Sequence, residues 1–183
     1  MYRRMHVLVE GRDDREFFDV TIRPILQVQY DCVQIWEYAG ATIEKRIGYL
    51  RSVQAMNADY LFVADINTSP CVTARKKRLV DSHKETIDAG RMVIVIREIE
   101  GWYLAGLDDK SCKELALEPF SGTDDITKED FGSLIPKKFA SRIDFMAEVL
   151  KRFSVGIAGQ KNKSFHYFIS RIQRDPTGMR FEK

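Results

Sequence analysis

The sequence predicts an α/β fold: a mostly parallel, four-stranded sheet covered by helices, followed by a helical C-terminal extension. Three observations predict it. Short apolar runs at 5–9, 60–64 and 92–96 have the length of buried strands. Stretches with apolar residues at helical spacing separate them, which implies right-handed crossovers between parallel strands. Each run also ends in acidic residues: Glu10-Gly11, then Asp65-Ile66-Asn67, then Arg97-Glu98-Ile99-Glu100.

Residues 5–9 read as a buried strand. Asp13 or Asp14 caps a helix running to about Gln27, with Phe17, Phe18 and Ile22 inward and Pro24 as a late kink or stop. Residues 31–38 alternate as a second strand that Gly40 ends, and 41–56 carry Ile43, Ile47, Leu50 and Val53 at helical spacing. The strand at 60–64 follows. A polar helix is expected over 71–89, closed by Gly90. The strand at 92–96 leads into a short helix near 98–105. Strand signals then stop. Thr127–Asp130 reads as a capped helix start, 139–153 as a helix with Ile143, Met146, Val149 and Leu150 inward, and Gly156–Gly159 as a flexible break. A last helix over 164–173 carries Phe165, Phe168, Ile169 and Ile172, and Pro176-Thr177-Gly178 ends the ordered part. The expected division is an α/β domain over 1–106 and a helical extension over 107–183 packed on it.

With 183 residues, 44% hydrophobic and 31% charged, the chain has an ordinary globular composition. No apolar run approaches the ~20 residues of a membrane span, so no membrane role is expected. Cys32, Cys71 and Cys112 are odd in number and form no C-x-x-C pair, which fits free thiols and a cytoplasmic location. The net charge of +2 hides an asymmetry: 137–183 carry +7 and 1–136 carry −5. An acidic body with a basic tail suits a phosphate-rich polymer; a solvated basic helical face accounts for the same charge.

The motifs concentrate at strand ends. Glu10 occupies the last position of the first strand, where an acid gains nothing from burial. Gly11 lets the backbone turn and a ligand approach, while Asp13 serves as a helix cap or as part of the same site. Asp65 and Asn67 supply further oxygens, and an Asx turn before Pro70 is the competing reading. Glu98 and Glu100 add two more carboxylates, which a helix start would also favour. Oxygen donors gathered at one sheet edge suit Mg²⁺ or Mn²⁺. Trp102, Tyr103 and Leu104 read as core. Arg75-Lys76-Lys77-Arg78 could meet a phosphate backbone, but four consecutive residues point all round a helix, and a solvated helix is the favoured reading. His6, His83 and His166 lie near no cysteine or nucleophile, and no phosphate-loop or dinucleotide fingerprint is present.

A strand ending in Glu-Gly-x-x-Asp, then a strand ending in Asp-x-Asn, resembles the Toprim domain of topoisomerases, bacterial primases, recombination-repair proteins and overcoming-lysogenization-defect nucleases. The run Val95–Ala105, with Glu98-Ile99-Glu100-Gly101-Trp102, resembles small prokaryotic Toprim-like proteins of the DUF4276 type. The resemblance spans roughly residues 5–105. It implies Glu10 as general acid/base or metal ligand, Asp65 as metal ligand, Asn67 where a second Asp is expected, and Lys163 as the late lysine of the nuclease members; an exposed basic loop competes for Lys163. Glu98 and Glu100 would supply the charge Asn67 lacks. No tyrosine is assignable as a topoisomerase nucleophile. The expected function is Mg²⁺-dependent processing of nucleic-acid phosphodiesters, DNA or RNA, and the resemblance implies a place in prokaryotic defence. The alternatives are a non-catalytic nucleic-acid or partner-binding module and a phosphoryl-transfer enzyme on small molecules. A homodimer and an operon-encoded protein partner stay open.

Overall fold

The computed structural model describes residues 2–174, so the expected stop at Pro176-Thr177-Gly178 lies outside the described residues. The chain forms two compact units: residues up to Val95 joined by the chain from Arg171, and Ile96–Ser170.

The first unit holds the sheet. Its strands are β1 (Arg4–Val9), β2 (Cys32–Glu37), β3 (Asp59–Asp65) and β4 (Met92–Val95). All pairings are parallel and the order is β2-β1-β3-β4, so the four-stranded, mostly parallel α/β sheet expected from the sequence is the one observed. Met5, Val7, Leu8 and Val9 on β1 and Leu61, Phe62 and Val63 on β3 are almost wholly buried, as strands covered on both faces must be.

Between β1 and β2 run α1 (Arg12–Phe17), a π-helical turn (Phe18–Ile22) and α2 (Arg23–Leu26). Pro24 has no N–H to give the turn before it, and that turn is the one that widens. The cap is Gly11 rather than Asp13 or Asp14; Asp14, inside the first turn, accepts from the Gly11 amide at 3.1 Å. Next come α3 (Ile43–Ala55), capped by Thr42, and α4 (Val72–Ser82), capped by Cys71. Leu50 and Val53 of α3 and Leu79 of α4 share one core with Leu8, Tyr38, Phe62, Ala64 and Ile94. Both helices therefore cover one sheet face, and right-handed connections place α1 and α2 on the other. Ile43, expected inward, is 39% exposed, since it stands in the first turn before α3 meets the sheet.

The helix expected over 71–89 stops seven residues early. Lys84 and Glu85 take φ of 50° and 58°, left-handed values that end a helix. The reversal lets Ile87 enter the core, and burial of that side chain outweighs the local preference.

The second unit is helical: α5 (Ile99–Ala105), α6 (Asp109–Leu115), α7 (Lys128–Leu134), α8 (Arg142–Leu150), α9 (Val155–Lys161) and α10 (Lys163–Arg174), the last continuing into the first unit's final segment. Gly156–Gly159, expected as a break, lies inside α9. Ser154 caps that helix, Ala158 is fully buried, and the Lys161 carbonyl accepts from the Thr123 amide at 2.9 Å, so tertiary contacts override the glycines. In α8 the inward residue of the first turn is Phe145; Ile143 is 55% exposed. The α6 helix, announced by Asp108 as its cap, had no clear apolar period in the sequence. Among the described residues no helix is long and apolar enough to cross a membrane.

Candidate functional site at the carboxyl edge of the sheet

The sheet order dictates where a ligand can enter. The chain leaves β1 toward one face and β3 toward the other, although the two strands are neighbours. Their diverging connections leave a crevice beyond the carboxyl ends, the topological switch point at which open α/β sheets bind ligands. Glu10 follows β1 directly and Asp65 ends β3.

Glu10 is half-buried, and its Oε2 is buried with no hydrogen bond among the described residues. A buried polar oxygen without a hydrogen-bond partner costs about 1–3 kcal/mol. Asp65 Oδ1 is also buried, though Asp65 keeps other interactions. Gly11, half-buried, opens α1 and gives its amide to Asp14. Asn67 is exposed, with φ at 49°. Asn is among the few side-chain-bearing residues that adopt this left-handed backbone readily, and the Ser69 amide closes the turn onto the Ile66 carbonyl at 3.1 Å. The turn alone is thus a sufficient reason for Asn here.

Tyr38 marks the convergence of charge. Its hydroxyl donates to the Val63 carbonyl at 2.8 Å and its ring stacks on Phe62. Burial raises its pKa well above the ordinary phenol value, and Glu10, Asp14 and Asp65 push it further; Arg75 acts in the opposite sense. Three carboxylates and one guanidinium therefore act on a single phenol that stays protonated. A phenol in that state holds a strand carbonyl and is no nucleophile.

Glu98, Glu100 and Lys163 belong to the second unit. Glu98 stands at the cap position of α5, and its Oε2 accepts from the Lys128 amide. Glu100, 3% exposed, accepts from Arg142 Nη2 at 2.5 Å. Lys163 opens α10; its amide donates to Asp124 at 2.8 Å and its ammonium, almost fully exposed, lies 3.7 Å from the same carboxylate. Trp102, Tyr103 and Leu104 are fully buried, and Trp102 Nε1 donates to Ser164 at 2.8 Å.

Among the described residues no three His, Cys, Asp or Glu side chains gather as a cage for a metal ion. Mg²⁺ needs less: one or two carboxylates, with waters and substrate phosphates filling its shell. The unsatisfied Glu10 oxygen and the Asp65 carboxylate, delivered by adjacent strands, fit that lesser requirement. Sequence reasoning missed two residues here. Asp14 bears on Tyr38 as Glu10 does, although its place in Glu-Gly-x-x-Asp could have marked it. Arg75, named in the sequence only as one of four basic residues that could meet a phosphate, is set apart by its Nε, which donates to the Asp65 carbonyl at 2.8 Å.

No protein-family model and no curated protein matches the chain. Two solved structures are similar to it. The C-terminal region of the Xanthomonas campestris pv. campestris OLD protein aligns with 98% of this chain and 96% of its own, at 14% identity and a TM-score of 0.41. The C-terminal region of the Burkholderia pseudomallei OLD protein aligns with 98% and 100%, at 13% identity and a TM-score of 0.38.

Proposed function

We propose that this chain is a Mg²⁺- or Mn²⁺-dependent, nuclease-like protein acting on nucleic-acid phosphodiesters at the switch point between β1 and β3. The observation that carries the reading is the buried Glu10 oxygen without a hydrogen bond at that point. A fold has no use for such an atom, whereas a cation or a proton in transit does. Glu10 and Asp65 would hold the ion, with Gly11 allowing close approach; when bound, it supplies Lewis acidity toward a phosphodiester. Glu10 Oε2, free of protein donors, is placed to take a proton from an attacking water. Asp14 keeps the Gly11 amide satisfied and so fixes the turn that carries Glu10. Tyr38 keeps the end of β3 in register through the Val63 carbonyl.

A second reading is a non-catalytic nucleic-acid-binding module. What favours it is the lack of a three-ligand cage among the described residues, together with Asn67, exposed in a left-handed turn.

The test is incubation of the purified protein with labelled single- and double-stranded DNA and RNA in Mg²⁺, Mn²⁺ or EDTA, beside Glu10→Gln and Asp65→Asn. Cutting that needs metal and disappears in both variants is expected. Metal-independent retention of nucleic acid without cutting by the wild type would replace the enzyme with the binding module.

A further inference from the structure

We propose that Arg46 and Arg75 form a phosphate-oxyanion subsite beside Glu10 and Asp65, which takes a backbone phosphodiester of the nucleic-acid ligand. The inference rests on the nucleic-acid reading above and adds to it the group that would grip the polymer.

The two arginines are held alike. Arg46 Nε donates to the Ala41 carbonyl at 3.0 Å, and Arg75 Nε donates to the Asp65 carbonyl at 2.8 Å. Ala41 lies just beyond β2 and Asp65 ends β3, the two strands that flank β1 and its Glu10. Both acceptors are thus at the carboxyl edge, and both side chains are half-buried. Each tether uses the Nε proton and leaves the two Nη groups. Among the described residues neither guanidinium forms a carboxylate ion pair, whereas the half-buried Arg23, Arg91, Arg142 and Arg152 each do; Arg3, also half-buried, lies over the Tyr30 ring, and Arg171 donates to the Gly90 carbonyl.

Tyr38 ties the two together. The Arg46 guanidinium carbon lies 4.8 Å from the centre of its ring, and the Arg75 charge acts on its hydroxyl alongside Glu10, Asp14 and Asp65. A guanidinium fixed at Nε presents its Nη pair as a planar fork, a shape that matches two non-bridging oxygens of a phosphodiester. Both helices that carry the arginines, α3 of 13 residues and α4 of 11, begin at this edge, so their positive ends add to the same potential.

The basic run Arg75–Arg78 divides accordingly. Lys76 donates to the Ala89 carbonyl at 2.9 Å and Arg78 to Ser69 at 3.4 Å, while Lys77 is exposed. Only Arg75 reaches the strand that carries the candidate carboxylate.

The experiment is fluorescence anisotropy with a labelled single-stranded oligonucleotide in EDTA, titrated with salt. Wild type is compared with Arg46→Gln, Arg75→Gln, the double Gln variant and the double Lys variant, with the exposed Arg51→Gln and Lys77→Gln as controls. The expected result is severalfold weaker binding for each Gln variant and a slope of log K against log salt lower by about 0.7 per arginine removed. The controls should match wild type. The double Lys variant should keep the slope and lose affinity, because an ammonium has no fork, and it gives the answer if the double Gln variant does not fold. Oligonucleotide binding by wild type with the same affinity and slope in the double variants overturns the inference and leaves the nuclease reading intact. Failure of wild type to bind or cut any nucleic acid, with or without metal, overturns that reading as well. Stabilisation by millimolar inorganic phosphate, read as a rise in melting temperature that the double Gln variant lacks, in the absence of oligonucleotide binding would assign the arginines to a free phosphate group and overturn the polymer.

Discussion

Arg142 reaches from α8 to Glu100 on α5, 2.5 Å between Nη2 and Oε1, with the carboxylate side chain only 5% exposed and the guanidinium lying over the Phe131 ring. This is a buried ion pair inside the second unit. Removing one partner strands the other charge, at about 3–5 kcal/mol. Arg142→Met is therefore expected to lower the melting temperature far more than Arg142→Met with Glu100→Gln, and a double-mutant thermal cycle measures the difference.

Glu10→Gln should separate stability from activity. The substitution removes the charge from a half-buried group with an unsatisfied oxygen, so the melting temperature should rise, by about 1 kcal/mol of stability. Metal-dependent cutting should fall at least a hundredfold. Adding Mn²⁺ should raise the melting temperature of wild type and leave that of Glu10→Gln unchanged. A variant that still gains from Mn²⁺ would remove Glu10 from the proposed metal site.

Two glycines should respond to alanine with opposite signs. A Cβ at Gly106 would lie 2.2 Å from the Phe153 ring, and one at Gly48 would meet nothing within 4 Å. Gly106→Ala is expected to cost about 1–3 kcal/mol through overpacking. Gly48→Ala, inside α3, is expected to gain about 0.5–1 kcal/mol. Urea titration of both variants reads the contrast.

His83 gives the fold a dependence on acid. It is 1% exposed, its Nδ1 bonds to the Leu79 carbonyl at 2.9 Å, and its Nε2 is buried with no partner among the described residues. Burial, with the Arg46 charge adding to it, lowers its pKa from the ordinary 6.5; the Leu79 carbonyl opposes the shift. Burial and Arg4 likewise lower that of His6. The unfolded chain thus binds these protons first as pH falls. Stability should be level above about pH 6.5 and decline below it, until the folded-state values are passed. His83→Phe should flatten part of that decline in melting curves taken between pH 7 and pH 5.

The strands were legible because three are short apolar runs and the fourth, β2, alternates, with turn residues near their ends. The candidate site at their ends was suggested by Glu10 and Asp65, which interrupt those runs with charge. What the sequence hid was set by contacts across the chain. The early end of α4 depends on Ile87 finding the core, and α9 forms despite Gly156 and Gly159 because Ala158 and the Lys161 carbonyl are engaged elsewhere. Ile43 and Ile143 have the right spacing and the wrong outcome, since periodicity cannot tell which turn of a helix meets its partner. Arg46 carried no signal, because what distinguishes it is a carbonyl beyond β2 and the ring of Tyr38.

Glu10 and Asp65 hang from β1 and β3, the two strands with a neighbour on either side. Freeing either strand breaks two ladders at once, so the amides before these carboxylates should be among the slowest in the molecule to exchange with deuterium. Fraying of the outer strands β2 and β4 would leave both acids where they are. Under the proposed function an incoming ligand would meet groups already fixed in place, and the ordering cost of association would fall on the ligand instead of the protein.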